Sequence, residues 1–366
     1  MKTIKFIAKD QREKDFSDTL KKRVNEYFKD NNISQKGNFW MYLKAFILLF
    51  IYIASFCVIV FIPMKAFYAV LLAILMGIGE AGIGMSVMHD AAHGAFSKSK
   101  WVNSLFASTM FILGSNVFNW KIQHNLLHHT YTNIYGFDQD IETKAGIRLC
   151  EYAPLKSYQR FQFLYAFLLY GMMTISKLFS DIGQLIEFNK SGITQKMNYN
   201  GKLQILILIT TKILYFSFIF GLAFLFCTFS WWQIIIGFMV MHLTAGIIMS
   251  VVFQMAHVVE GAEQPLPDER GVIHHEWFVH QLRTTADFAP NNMFLNWYVG
   301  GLNFQVVHHL FSNVCHIHYK RIAPIVQKTA HDFGFVYNVK PTFRSALKSH
   351  IIRLKELGGK KPENYC

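Results

Sequence analysis

The sequence predicts an all-α integral membrane protein: four transmembrane helices in two hairpins, with a cytoplasmic helical cap holding a di-metal site. Three observations carry that prediction. Hydrophobic residues make up 52% of the 366 residues and charged residues 16%, apolar for a soluble protein and ordinary for a polytopic membrane protein with sizeable aqueous parts. Several apolar stretches reach the roughly twenty residues needed to cross a bilayer. Beside them lie three histidine clusters: HDAAH (His89, His93), HNLLHH (His124, His128, His129) and QVVHH (Gln305, His308, His309).

Residues four apart share one helix face, so His89 with His93, His124 with His128, and Gln305 with His309 can each present two side chains to one point. Sixteen histidines would scatter a few pairs by chance, but chance does not easily give three such clusters beside membrane-length segments. Imidazole is the commonest protein metal ligand, and this spacing predicts a metal site. No cluster contains cysteine and no CxxC occurs, which argues against thiolate zinc or iron–sulfur chemistry. The donors are too many for one ion, and two first-row metals fit better. Imidazole suits iron, copper and zinc alike, and spacing does not choose among them.

The boxes HxxxH, HxxxHH and QxxHH, in this order beside membrane spans, resemble those of the membrane fatty acid desaturases. Glutamine opening the third box resembles the front-end and linoleoyl-CoA-type branch. The likeness extends through GFDQDIE at 136–142, HQLRTTADFAPNN at 280–292 and GGLNFQVVHHLF at 300–311. One departure is visible: relatives commonly carry an acidic residue before the paired histidines of the third box and a proline after the LF, where this chain has Val307 and Ser312.

That resemblance implies two iron ions in the histidine boxes, O2 as co-substrate, and a cis double bond introduced into a long-chain acyl substrate linked to CoA, acyl-carrier protein or lipid. It also implies electrons from an external donor, a ferredoxin or separate cytochrome. Desaturases of this kind carry a further histidine ligand after the last span, a role that falls to His257. The alternatives are a di-iron lipid or alkane hydroxylase and, in another class, a histidine-rich metal transporter. A transporter needs ligands along a path within the bilayer, whereas these boxes sit at span ends on one side.

Taken in order, 1–38 is a basic cytoplasmic segment without the apolar core of a signal peptide. Phe16, Leu20, Val24, Tyr27 and Phe28 recur at helical spacing and suggest an amphipathic helix against the membrane or the catalytic domain, a solvated basic arm being the alternative. No HPGG haem motif is present. A first hairpin occupies 39–88, as spans Trp40–Ile62 and Ala66–Met88. Positive-inside weighting places the basic N-terminus, and so the first box, in the cytoplasm; both termini are expected there, and the membrane is expected to be a bacterial inner membrane rather than the endoplasmic reticulum. Glu80, inside the second span, should face the protein interior and have a partner, either behind a metal ligand or lining the substrate tunnel.

Residues 89–202 form a cytoplasmic and interfacial region with the first two boxes. Both boxes must meet at one centre, so 101–119 cannot cross once and is expected to be interfacial or re-entrant. Asp138, Asp140 and Glu142 could accept from ligand imidazoles, or be solvated loop carboxylates. The stretch 161–179 is assigned to the interface, leaving a second hairpin over 203–256. Lys212 is expected to snorkel towards the cytoplasm, and His242 to make a structural hydrogen bond. Residues 257–366 complete the cap with the third box. There His274 and His275 are expected at the surface, His280 in the active site, and Asn303 orienting the box. Gln305 binds metal, holds a water or orients a neighbour. The net charge of +13 is spread over loops and termini, suiting anionic lipid headgroups rather than nucleic acid. The five cysteines show no paired spacing, so free thiols are expected.

Overall fold

The computed structural model describes residues 4–142 and 146–359. Among the described residues, four helices are long and apolar enough to cross a membrane: α2 (Phe39–Phe61), α3 (Ala66–Ala92), α5 (Gly201–Phe226) and α6 (Trp231–His257). Local chemistry sets their ends. The Asn38 side chain accepts from the backbone N–H of Trp40 to start α2, and Ser230 with Gln233 forms a reciprocal capping box at the start of α6. Pro63, which cannot continue a helix, stands in the turn between α2 and α3.

Helix α3 is the centre of the bundle, packed against α2 on one side and α6 on the other. Small residues permit this approach: a Cβ on Gly77 would meet the Met241 carbonyl oxygen at 2.4 Å, and one on Gly79 would meet the Tyr52 backbone at 3.2 Å. The backbone of α5 lies chiefly against α4 (Met173–Lys190) and meets α6 mainly through its last turns, Leu222–Phe226.

Segment 101–119 forms three short helices, Lys100–Ala107, Thr109–Ile112 and Val117–Trp120, none long enough to span. The stretch assigned to the interface is a pair of helices, Ser157–Gly171 and Met173–Lys190, bent by 72°. Its second half, α4, exposes Phe179, Ile182 and Ile186 while burying Thr174, Leu178, Asp181 and Leu185, the two-sided pattern of a helix lying along a boundary.

Three expectations need correction. Helix α3 does not stop at Met88; it runs through a π-helical turn, Ile83–Met88, to Ala92, so the first box sits on the helix itself. Lys212 does not snorkel, because interfacial helices bring acceptors inside: its Nζ donates to the Gly114 carbonyl at 2.6 Å, the Lys177 carbonyl at 2.9 Å and Asp181 Oδ2 at 3.0 Å. Glu80 is fully buried and stands by His242, not by a box histidine, with Oε1 and Nδ1 3.3 Å apart. His242 makes its expected structural bond through Nε2, 2.8 Å from Tyr215 Oη.

The remaining helices gather at the histidine end of the bundle. Helix α1 (Gln11–Asp30) buries Phe16, Leu20, Val24 and Phe28 against α9 (Tyr319–Asp332), and Arg23 Nη1 meets Asp332 Oδ2 at 2.6 Å. It is therefore docked on α9 and is not a solvated arm. Among the described residues the strand pairing consists of two-residue parallel pairs, Lys5–Phe6 with Val272–Ile273 and Asp287–Phe288 with Val339–Lys340. These pairs join an early segment, Lys5–Phe6, and a late one, Val339–Lys340, to the stretch between residues 272 and 288.

Candidate metal centre

Four structural elements converge on one buried pocket of imidazoles. The last turn of α3 carries His89, with His93 following. A short helix from Val117 passes into a π-helical stretch, Lys121–His128, that carries His124 and His128, with His129 at its end. Helix α8 (Gln305–Leu310) carries His308 and His309, and α6 ends on His257. All eight histidines are buried or nearly so.

Their nitrogens fall into two groups. In one, ring nitrogens of His89, His93, His124 and His308 all lie within 4.8 Å of one another; in the other, those of His128, His257 and His309 do so. His129 sits between the groups, its ring centroid 4.6 Å from that of His308 and 4.4 Å from that of His309. His89 Nε2 is 3.2 Å from His124 Nε2, which is 3.3 Å from His129 Nε2. A metal–imidazole bond is about 2.0–2.1 Å, so two ligands of one ion at roughly right to tetrahedral angles stand about 3.0–3.4 Å apart, and the observed spacings match.

Hydrogen bonds choose which nitrogens face inward. His128 Nδ1 donates to Asp138 Oδ2 at 3.0 Å, and His309 Nδ1 donates to Gln281 Oε1 at 2.9 Å. In both rings this leaves Nε2 bare, and both Nε2 atoms are buried without a hydrogen-bond partner. His93 Nε2, His308 Nε2 and both nitrogens of His257 are likewise unpartnered. Leaving so many buried polar atoms unsatisfied is costly unless something ligates them. Burial, then repulsion among neighbouring imidazoles, holds His93, His124, His129, His308 and His309 well below the ordinary histidine range. They are therefore neutral, the form that binds metal. For His128, burial works downward, but Asp138 and Asp140 outweigh it and hold this imidazole above its usual range.

The supporting residues are partly those expected. Asp138 orients His128 and is itself fixed by the backbone N–H groups of Asn133 and Asp140, each at 2.9 Å. Asp140 Oδ2 stands 3.7 Å from His128 Nδ1, and its Oδ1 accepts from the Gln123 amide. His280, expected in the active site, instead turns its Nε2 to the Thr132 carbonyl at 3.0 Å. Its neighbour Gln281 meets the centre, because adjacent residues on α7 (Trp277–Thr284) point about 100° apart; the signal was an amide beside a histidine in HQLRTTADF. Asn303 does not orient the third box either. Its Nδ2 donates to the Phe288 carbonyl at 3.2 Å, while Asp287 Oδ1 accepts from the Val306 N–H at 2.9 Å and pins the start of α8. Gln305 is buried one turn before His309, its Oε1 without a hydrogen-bond partner. His274 is exposed beside Asp268 as expected, but His275 is partly buried, its Nδ1 2.7 Å from Glu13 Oε1.

Residues 65–341 match the family model described as fatty acid desaturase. The chain belongs to the fatty acid desaturase family. It is 37% identical over 347 residues to the sn-1 linoleoyl-lipid 6-desaturase of Arthrospira platensis, covering 93% of this chain and 92% of the relative. It is 35% identical to the protein of the same description from Synechocystis sp., over 97% and 98% of the two chains. Against the acyl-lipid (8-3)-desaturase of Physcomitrium patens the identity is 33%, over 95% of this chain and 73% of the relative. The protein is thus a membrane fatty acid desaturase, an oxidoreductase. In this desaturase Val307 is fully buried in the apolar cluster that includes Phe278, Leu282 and Ile322. The iron that the family uses fits the residues present: buried imidazole nitrogens without hydrogen-bond partners, gathered in two groups, suit a divalent first-row ion at each.

Proposed function

We propose that this desaturase inserts a cis double bond into a long-chain acyl group carried on a membrane lipid, consuming O2, two electrons and two protons and releasing two waters. The relatives named above are described as acting on linoleoyl-lipid and acyl-lipid substrates, which favours a lipid-linked substrate over a CoA or carrier-protein thioester. The observation that carries the proposal is the pair of buried imidazole groups with inward nitrogens lacking partners.

In this reading His89, His93, His124 and His308 hold one iron, and His128, His257 and His309 hold the other. His129 stands between them, and Gln305 offers its carbonyl oxygen. Bound iron would supply oxygen activation and the one-electron steps that removing hydrogen from an unactivated methylene requires. The chain's own groups do the rest. Asp138 and Gln281 keep ring nitrogens aimed inward, and the apolar residues packed around the boxes exclude water. The basic segment 1–38, the cytoplasmic and interfacial region 89–202 and the cap 257–366 lie on the cytoplasmic side of the hairpins 39–88 and 203–256, at a bacterial inner membrane. The positive face on that side is suited to a ferredoxin or separate cytochrome as electron donor.

Expression in a host fed defined fatty acids, with double bonds located by mass spectrometry in each lipid class, tests this. New unsaturation in glycerolipids, absent from His308→Ala and His309→Ala variants, is the expected result. A product that gains an oxygen atom, or no new double bond across a broad panel despite folded iron-loaded protein, would overturn it.

A further inference from the structure

Beside the first box lies a buried charged chain that the centre described above does not use. Lys44, in the first turns of α2, is buried, and its Nζ is 3.0 Å from His316 Nε2. The other side of that ring faces Asp90, with Nδ1 2.8 Å from Asp90 Oδ2, and the His316 backbone N–H reaches the same oxygen at 3.1 Å. Trp297 flanks the ammonium, its ring centroid 5.3 Å away. All three members are buried, although they come from α2, the end of α3 and the loop after the third box.

The direction of the chain follows from its chemistry. An ammonium only donates, so His316 Nε2 accepts from Lys44 and His316 Nδ1–H donates to Asp90. The other carboxylate oxygen of Asp90, Oδ1, stands 3.9 Å from His89 Nδ1, which is buried and has no hydrogen-bond partner. His89 Nε2 points the other way, to His124 Nε2. Asp90, Cys315 and His316 could by residue type hold a metal, but His316 Nε2 is already engaged by Lys44 Nζ at 3.0 Å.

We propose that Lys44, His316 and Asp90 form a positioning brace for the first box, in which Lys44 acting through His316 holds the Asp90 carboxylate toward His89 Nδ1 and so keeps His89 Nε2 turned to the metal. The brace rests on the di-iron reading above. It makes iron retention at the His89, His93, His124 and His308 group depend on a lysine in the first span that touches no ligand. The other group, braced by Asp138 and Gln281, does not depend on it.

The test uses the full-length protein in detergent, loaded anaerobically with ferrous iron and titrated with a chelator while retained iron is counted. Wild type is expected to hold two irons. In His316→Leu one of the two should leave at about ten- to a hundred-fold lower chelator concentration, the other being unchanged. His316→Gln should retain both, since a glutamine amide can accept from Lys44 and donate to Asp90; a purely space-filling role would favour leucine equally. Lys44→Met, remote from every ligand, should behave as His316→Leu and serves if that variant does not fold. Unchanged retention in His316→Leu and Lys44→Met, parallel loss of both irons, or a His316→Gln protein as impaired as His316→Leu would overturn the brace alone. Wild type that holds no iron would overturn the di-iron reading and the brace together.

Discussion

Gln281 Oε1 accepts from His309 Nδ1 at 2.9 Å, while the same amide's nitrogen donates to the His129 carbonyl at 3.2 Å. One neutral side chain thus fixes the tautomer of a third-box histidine and ties it to the backbone of the second box. Two of the three boxes are held in register by it.

Gln281→Leu is therefore expected to weaken iron binding by about ten- to a hundred-fold and to reduce desaturation in proportion, whereas Gln281→Glu keeps an acceptor for His309 and should retain most of the metal. Iron content after dialysis, measured beside new double bonds in the host's lipids, checks both. Equal iron in the leucine variant and wild type would remove Gln281 from the centre.

The Glu80–His242–Tyr215 cluster lies in the spans, where nothing in the surroundings can replace a lost partner. His242→Leu removes the imidazole that stands 3.3 Å from the buried Glu80 carboxyl and bonds Tyr215, a loss of about 1–3 kcal/mol, seen as a lower melting temperature in detergent. Adding Glu80→Gln should recover part of it. Strictly additive losses in the double variant would show that the two residues are not coupled.

Helix α6 approaches the bend after Gly171 so closely that a Cβ on Gly246 would stand 2.3 Å from the Gly171 carbonyl oxygen. Gly246→Ala must push the two backbones apart and should cost about 1–3 kcal/mol. Gly237→Ala, on the same helix with open space around the added carbon, should be neutral or slightly stabilising. Thermal unfolding of the two variants side by side distinguishes them.

Acid should loosen the N-terminal helix before the rest of the cap. Burial of Glu13 works to raise its carboxyl, but His275 and the N–H groups of Lys9 and Glu276 outweigh it and hold it below the ordinary range. A depressed carboxyl contributes stability that is present above its unfolded value, about 4.3, and is lost as pH falls through the folded value. Proteolysis within α1 should therefore rise below about pH 4, and Glu13→Gln should show the same sensitivity at neutral pH. Protection in Glu13→Gln equal to wild type would remove this contact as the anchor.

Much of the fold was legible because membranes and metals impose strong local patterns. Twenty apolar residues in a row have few alternatives to a span, and three boxes that must share one side leave room only for an even number of crossings between them. That reasoning placed the two apolar stretches at 101–119 and 161–179 outside the set of spans, and both are broken helices. His257 was found through its place at the end of a span, with the resemblance supplying its role.

The supporting residues were less legible. Asp138 could be named because it lies ten residues from His128 in one short loop. Gln281, Asp287 and the Lys44–His316–Asp90 chain could not, since each joins groups 19 to 272 residues apart and leaves no periodic trace. Glu80 showed that it needed a partner without showing which one, and Lys212 did not show that its partners lie inside.

The sequence by itself determined the class of the molecule: its spans, the side on which its boxes gather, and the chemistry of its donors. These follow from hydrophobic length and helical spacing, which act over a few turns. Tertiary structure alone decided how the donors divide into two groups and which nitrogens of His128 and His309 face inward. Those choices depend on hydrogen bonds between helices, and a hydrogen bond is set by positions within a few tenths of an ångström that only the packed chain defines.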